Sequence, residues 1–409
     1  MPKRRPLSPL LLALCAALPA AALARGYTPQ GSCGDYARLD IQSPAGTCVA
    51  LVADEAEGLR APRRILEVAP GRYWLTDMGS WEPHHGRLLE MTLPTAGAAP
   101  RRASFTVLAD KLDRPHGLAL GPDGKVYVGE AGQVWRTALP AAGAQLQREP
   151  LLDHLPDDGA HPLKELAFGP DGALYVNVGS SSDACRDDKQ QQALPCGDLA
   201  GDKPRAAVYQ ALFDGPQRTL KSFKPFATGL RNSLALTVLP DGPAKGTVLQ
   251  GENSIDYPEG KLPPEELNLL SAGKHYGWPY CTGNREPARG YEKRYDCTRS
   301  EAPLMLWPAH AAPLQMLAGP AGSRFAGQVL VAWHGYKPAG HRLVGYTLDA
   351  KGLPAGRPVD WLAGWDKTGS HPLGKPTGFT VDRQGHLLVV EDFNRTVLML
   401  LPTGAATKK

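Results

Sequence analysis

The stretch Gly121-Pro122-Asp123-Gly124-Lys125-Val126-Tyr127-Val128-Gly129-Glu130 is echoed 48 residues on by Gly169-Pro170-Asp171-Gly172-Ala173-Leu174-Tyr175-Val176. In each, proline presets a turn, Asp-Gly makes its tight corner, and a short apolar run follows. The triplets upstream, Leu118-Ala119-Leu120 and Leu166-Ala167-Phe168, read as the partner strands of two hairpins. Leu239-Pro240-Asp241-Gly242 is a near match. Reduced to a glycine followed by an apolar strand, the phrase occurs six times, from Gly71, Gly124, Gly172, Gly246, Gly327 and Gly385. The intervals are 53, 48, 74, 81 and 58 residues. Repeats of that size, each built on a hairpin, suit the four-stranded blades of a propeller, two of them carrying insertions. The sequence thus predicts an all-β, six-bladed β-propeller with four-stranded antiparallel blades, one domain over 25–409, with long insertions at about 180–225 and 250–310. Within an N-terminal arm over 25–58, the segment from Cys33 to Val52 is a candidate for the strand that closes the ring.

Composition agrees. Gly and Pro together supply 84 of 409 residues, about a fifth, against ~12% on average. Both residues break helix interiors, so coiled coils, bundles and helical solenoids are excluded. The 42% hydrophobic share is enough for an ordinary core.

The first 24 residues stand apart. Lys3, Arg4 and Arg5 precede an apolar run from Leu10 to Leu23 that closes in Ala22-Leu23-Ala24, the layout of a secretory signal peptide. That run is too short for a spanning helix, so the expectation is a periplasmic or secreted protein without a membrane span. Removing the three basic residues takes the formal charge from +4 to +1. Basic pairs such as Arg63-Arg64 are isolated and read as solvated loops, and no strongly basic face points to nucleic acid.

Of seven cysteines, Cys15 lies in the signal segment. The other six allow fifteen pairings. They fall as three close couples, Cys33/Cys48, Cys185/Cys196 and Cys281/Cys297, which suggests three local disulfide loops in an exported chain. The spacings suit zinc poorly, and the absence of Cys-x-x-Cys-His excludes covalent haem.

The segments that look chemical lie outside the repeats. They are Leu230-Arg231-Asn232, then Gly251-Glu252-Asn253-Ser254-Ile255-Asp256, then Glu266-Leu267-Asn268, then Tyr276-Gly277-Trp278-Pro279, with Leu155-Pro156 and His161 upstream. In this order they resemble the soluble pyrroloquinoline quinone (PQQ) dependent sugar dehydrogenases, especially the L-sorbosone dehydrogenase-like branch. The resemblance runs from about Arg60 to Leu401.

It implies oxidation of a sugar's anomeric hydroxyl or hydrated aldehyde, with hydride passing to the quinone. His161 matches the general base, and imidazole has a fitting ordinary pKa. Arg231 matches the group that stabilises charge on the quinone oxygen, and with Asn232 it contacts the cofactor. Asn253 and Ser254 occupy the positions whose carbonyls hold Ca2+ against PQQ, although familiar members have Gly, often with Pro, where this chain has Ser254-Ile255. Lys375 stands where glucose-oxidising members carry a cofactor-binding Arg, and Thr377 where they carry a second. His334 or Lys337 replaces another cationic contact, and Arg63 is a further candidate to face the channel. The implied partners are a sugar or aldehyde substrate and a separate electron acceptor, a cytochrome or quinone.

Trp278, Trp333, Trp361 and Trp365 are candidates to line a sugar pocket, with ordinary core as the plainer reading. Two rival functions fit the same fold. One is a lactonase-type hydrolase whose calcium is held by Glu252, Asn253 and Asp256; the other is a propeller that binds sugar or cofactor without catalysis.

Overall fold

Six blades, each of four antiparallel strands, form the ring, and the sheets of blades 3 and 6 carry extra strands, Lys274–His275 and Ser32–Cys33 with Tyr36–Leu39. The computed structural model describes residues 27–403, except 96, 98, 142–143, 187–190, 336 and 366–373. The expected signal peptide, 1–24, lies outside the described residues. Blade 1 consists of Pro62–Ala69, Arg72–Asp77, Gly86–Thr92 and Ser104–Leu112; blade 2 of Leu118–Leu120, Val126–Gly129, Val134–Thr137 and Glu149–Leu152. Blade 3 is Leu166–Phe168, Leu174–Val178, Ala207–Asp214 and Thr219–Thr228; blade 4 is Ala235–Val238, Val248–Glu252, Glu265–Leu270 and Met305–Trp307. Blade 5 is Pro313–Ala318, Gln328–Trp333, Arg342–Thr347 and Val359–Leu362. In blade 6, Pro376–Val381, Leu387–Glu391 and Thr396–Pro402 are completed by Thr47–Ala53 from the N-terminal side, which pairs antiparallel with Thr396–Pro402.

Each of the six repeated glycine phrases forms the second strand of a blade. Those strands read as continuous apolar runs because both their faces are covered by neighbouring blades, and Val126–Gly129 is buried at every position. At the Pro-Asp-Gly corner, Gly124 sits at φ +74, and Asp123 accepts the Tyr127 hydroxyl (3.0 Å). The core is correspondingly divided into contacts between neighbouring blades. Trp74, Leu88, Val126 and Val128 pack between blades 1 and 2, and Leu51, Leu330, Phe379 and Leu398 between blades 5 and 6.

The disulfides are Cys33–Cys48, Cys185–Cys196 and Cys281–Cys297. The first insertion is narrower than the expected 180–225, because 207–228 form the outer hairpin of blade 3. Likewise 265–270 is a blade strand within the second expected insertion. The loops that remain pack on each other: Cys196 and Ala206 meet Trp278, Tyr280, Tyr291 and Cys297. Among the described residues no helix is long and apolar enough to cross a membrane.

One side chain closes the channel. Arg64, 1% exposed, is not a solvated loop residue but lies on the inner strand of blade 1 and reaches across the axis. Its Nε donates to Glu165 ahead of blade 3 (2.7 Å) and its Nη1 to the Arg63 carbonyl (2.9 Å). Further N–H groups reach the carbonyls of Leu234, Leu314 and Thr377, ahead of or on the inner strands of blades 4, 5 and 6. His116, ahead of blade 2, faces the same Glu165 carboxylate at 3.5 Å.

Arg64→Met therefore leaves a buried carboxylate and several carbonyls unpaired, and is expected to destabilise the protein by ~3–5 kcal/mol. Arg64→Met with Glu165→Leu removes both charges and is expected to recover only the part of that loss due to the unpaired carboxylate, the carbonyls remaining unsatisfied. Urea unfolding of the two variants against the native protein measures both effects.

Candidate active site

All six inner strands start at one mouth of the ring, and the loops between second and third strands end there too. A cleft of about 350 Å3 opens at that mouth. It brings together Arg63, His161, Arg231, Asn232, Asn253 and His334. Trp81, Asp183, Asp256, Glu265 and His310 also line it. Its floor is apolar, made by Leu163, Leu234 and Leu314, which pack with Met78 directly above the Arg64 plug.

His161 is fixed from behind. Its Nδ1 lies 3.1 Å from the Ser180 carbonyl and 2.9 Å from the Ser180 hydroxyl. A carbonyl only accepts, so the hydrogen-bond network assigns the proton to Nδ1 and leaves Nε2 as a free acceptor. Burial first, and the Arg231 guanidinium second, push the imidazole down to about 3, so it is neutral at ordinary pH. Gly179 makes room for it, since a Cβ there would lie 2.5 Å from the His161 Cβ. Beneath, the buried Lys164 ammonium donates to the carbonyls of Pro156 (2.7 Å) and Pro162 (2.5 Å), tying down both ends of the loop that carries His161.

Arg231 is the most heavily bonded group of the cleft. Its Nη2 pairs with Asp183 (2.8 Å) and Asp256 (3.0 Å), its Nη1 donates to the Asn253 carbonyl (3.0 Å) and its Nε to the Asp183 carbonyl (3.1 Å). Asn253 in turn donates from Nδ2 to the carbonyls of Asn232 (2.9 Å) and Pro313 (2.8 Å).

Across the cleft, Arg63 donates from Nε to His116 Nδ1 (3.2 Å) and pairs through Nη1 with Asp392 (2.7 Å). The other oxygen of Asp392 meets His334 Nε2 at 3.0 Å. Burial pushes the Asp392 carboxyl up, but His334, Arg63 and Lys375 outweigh it and hold the group at about 2. Arg63 and His334 are thus one clamp, joined by an acid that the sequence reading overlooked.

Three expected site residues do not line the cleft. Lys375 has its Nζ 5.3 Å over the Phe393 ring and is not part of the lining. Lys337 is exposed. Ser254, expected to act through its carbonyl, borders a small separate cavity; its backbone N–H donates to Glu265 (2.6 Å) and its hydroxyl to the Pro264 carbonyl (2.7 Å). The four tryptophans proposed for a sugar pocket, Trp278, Trp333, Trp361 and Trp365, are all buried and belong to the core. Of the hydrolase set, Glu252 points beneath the cleft rather than into it. Among the described residues no three His, Cys, Asp or Glu side chains are grouped to hold a metal ion.

Most of the buried acids at this mouth have a structural task. Asp77, Glu130, Glu252 and Glu391 end or directly follow second strands, and each accepts a backbone N–H at the approach to an inner strand. The donors are Ala61 (2.6 Å), Asp113 (2.6 Å), Arg231 (2.5 Å) and Lys375 (3.3 Å). An acid at the end of the repeated phrase is the sequence signal for this role. Glu266 is different: it lies opposite Glu252 in the strand pair, and burial raises it to about 8. Burial likewise raises the neighbouring Glu265 to about 7.

A carboxyl whose folded pKa is raised binds its proton more tightly in the folded than in the unfolded chain. Its contribution is complete near pH 4 and is lost as pH rises through 7 to 8. Thermal unfolding in chelator is expected to show the contribution of these two acids falling between pH 5 and 8 by ~1–4 kcal/mol, against the opposite slope up to the ordinary imidazole pKa that the neutral His161 and His275 contribute. Glu266→Gln is expected to flatten that fall, as scans at each pH will show.

Guanidiniums, imidazoles and amides drawn from several blades around an apolar floor define a propeller with a small-molecule site of enzymatic character. The chain belongs to the glucose/sorbosone dehydrogenase family, whose sequence profile matches residues 125–336, just over half of it. No curated protein matches by sequence. Among solved structures, the Trichoderma reesei enzyme of carbohydrate-active family AA12 superposes with a TM-score of 0.69 at 19% identity, covering 91% of this chain and 100% of the other. The holo PQQ domain of Coprinopsis cinerea pyranose dehydrogenase gives 0.66 at 20% identity, with 90% and 98% covered. The PQQ-bound aldose sugar dehydrogenase of Streptomyces coelicolor gives 0.55 at 18% identity, with 88% and 99% covered. At these identities the likeness is one of fold.

Proposed function

We propose that the protein is an exported dehydrogenase that oxidises the anomeric hydroxyl or hydrated aldehyde of a sugar with PQQ as cofactor. The observation that carries this reading is His161. In a chain of this family, a neutral imidazole turns an unprotonated nitrogen into a polar cleft that it shares with the buried Arg231. Solved relatives of the same fold described as PQQ-bound or holo support the choice of cofactor.

The donor set suits a planar tricarboxylate. Arg63 and Arg231 enter from blades 1 and 4, with His334 and Asn232 beside them. Asp183 and Asp256, the carboxylates that now pair with Arg231, are 42% and 64% exposed. Returning such groups to water when a ligand carboxylate takes their place costs ~0–1 kcal/mol each. When bound, PQQ would supply the ortho-quinone that accepts hydride from the sugar carbon.

The chain's own residues do the rest. His161 Nε2 takes the proton of the hydroxyl on that carbon. Arg231 and Arg63 fix orientation through paired N–H donors, and Lys375 acts at one remove by holding Asp392 ionised. The Leu163, Leu234 and Leu314 floor keeps water from beneath the reacting groups. Electrons then leave to a separate acceptor, a cytochrome or quinone. Three disulfides support export to the periplasm or beyond.

Calcium, which takes six to eight oxygens, is not assigned at Asn253 and Ser254: the Asn253 carbonyl accepts from Arg231, and among the described residues no three His, Cys, Asp or Glu side chains are grouped to complete a shell. No step is derived through it.

The purified protein reconstituted with PQQ, with and without calcium, is expected to reduce a dye at the expense of aldoses. His161→Gln is expected to keep the spectrum of the bound cofactor and to lower kcat by ~10²–10⁴-fold. A bound-cofactor spectrum with no turnover on any aldose overturns the reading.

A further inference from the structure

Of eight tryptophans in the chain, seven are buried to 9% exposure or less, and Trp81 alone is open, at 60%. It is also the one tryptophan that lines the cleft. Leaving an indole in water forgoes ~2 kcal/mol of burial, so a lone exposed tryptophan at a site calls for a reason.

The loop that presents it, 78–85 between the second and third strands of blade 1, is firmly built. Met78 N–H donates to the Ala61 carbonyl (2.9 Å), and Glu82 N–H to the Ser80 hydroxyl (3.1 Å). Asp77, at the loop's base, accepts Ala61 N–H (2.6 Å) and pairs with Arg87 at the other side. Gly79 takes φ +75 and packs under the His85 backbone, where a Cβ would lie 2.2 Å from the His85 carbonyl oxygen. The indole is therefore held out at the mouth by a fixed turn, on the blade that also supplies Arg63.

What it faces follows from size and chemistry. A cleft of about 350 Å3 is at the small end of the ~300–1,000 Å3 usual for ligand sites. A tricyclic cofactor held by Arg63 and Arg231 would take up most of it, so a sugar must stand at the opening. There the lining offers polar groups and small aliphatic chains, and one broad flat apolar surface, Trp81. A pyranose chair has such a surface of its own: the axial C–H bonds of one face, slightly positive, which lie well against the negative face of an indole. The face is unbroken when the hydroxyls are equatorial, and an open-chain aldehyde has none.

Resting on the dehydrogenase reading, we infer that Trp81 is the platform on which the reacting pyranose ring stacks, and that it makes equatorially hydroxylated aldopyranoses the preferred substrate class. It is a specificity-determining residue and takes no part in proton transfer.

The test uses the PQQ-reconstituted protein and its Trp81→Ala and Trp81→Phe variants, with D-glucose and D-glyceraldehyde as paired substrates. Trp81→Ala is expected to raise the ratio of KM for glucose to KM for glyceraldehyde about tenfold, the size of one stacking contact. Trp81→Phe, which keeps a flat ring, is expected to restore most of it. A ratio unchanged in Trp81→Ala, while the native protein oxidises glucose, overturns the platform and leaves the dehydrogenase reading standing. A change confined to KM for the electron acceptor also overturns it and assigns the indole to acceptor docking. If the native protein oxidises no sugar, acrylamide quenching of tryptophan fluorescence still decides. Protection of the exposed indole by glucose, absent in Trp81→Ala, upholds the platform; no protection overturns it.

Discussion

The guanidinium of Arg64 is the fixed point of this molecule. A propeller leaves the first strands of its blades ringed about an open axis, where polar backbone groups have neither a partner strand nor free access to water. Arg64 fills that axis with donors in several directions and meets Glu165 and the carbonyls of Arg63, Leu234, Leu314 and Thr377. Burial of an unpaired cation would be prohibitive. Here the same contacts that neutralise the charge also set the spacing of the inner strands. A purely apolar plug could fill the volume but could not satisfy the carbonyls.

The site inherits its geometry from that plug. The strand pairing of blade 1 is irregular between Pro62 and Arg64, which leaves Arg63 outside the register. With Arg64 committed to the axis, Arg63 is delivered to the mouth, where it joins His116 and Asp392. The same logic holds in blade 3, where Glu165 faces the plug, Lys164 secures the 156–162 loop and His161 emerges at the cleft. Charges buried for structural reasons thus lie one to four residues from those that line the cleft, and the apolar floor of Leu163, Leu234 and Leu314 separates the two sets.

The blades were legible because burial on both faces writes continuous apolar runs, and because Pro-Asp-Gly corners have few other uses. Disulfide partners were legible from their closeness, and His161, Arg231, Asn232 and Asn253 from motifs that hold together in order. The rest hides in direction and depth. Arg63 was legible as a residue entering an inner strand near the channel, but Arg64 looks solvated since charged residues are seldom buried, and nothing local in the sequence says that it fills the axis. Lys375 follows the expected loop, but its ammonium lies over the Phe393 ring and it is not part of the cleft lining. Trp81 carried a faint signal, a large aromatic set among Gly79, Ser80, Glu82 and Pro83, which is odd company for a core residue. The signal is no more than faint, since Trp365 stands between Gly364 and Asp366 and is buried.

Blade 6 is assembled from both ends of the chain: Thr47–Ala53 lies beside Thr396–Pro402, and Cys33–Cys48 ties the arm that brings it there. During synthesis, which delivers a chain from its first residue to its last, the earlier blades have all their strands long before the circle can shut. Until Thr396–Pro402 arrives, the opening strand has no edge to join, and Arg64 lacks the Thr377 carbonyl as well. Maturation is therefore timed by the tail: whatever delays or removes the last few strands leaves an open fan with an exposed sheet edge at either side.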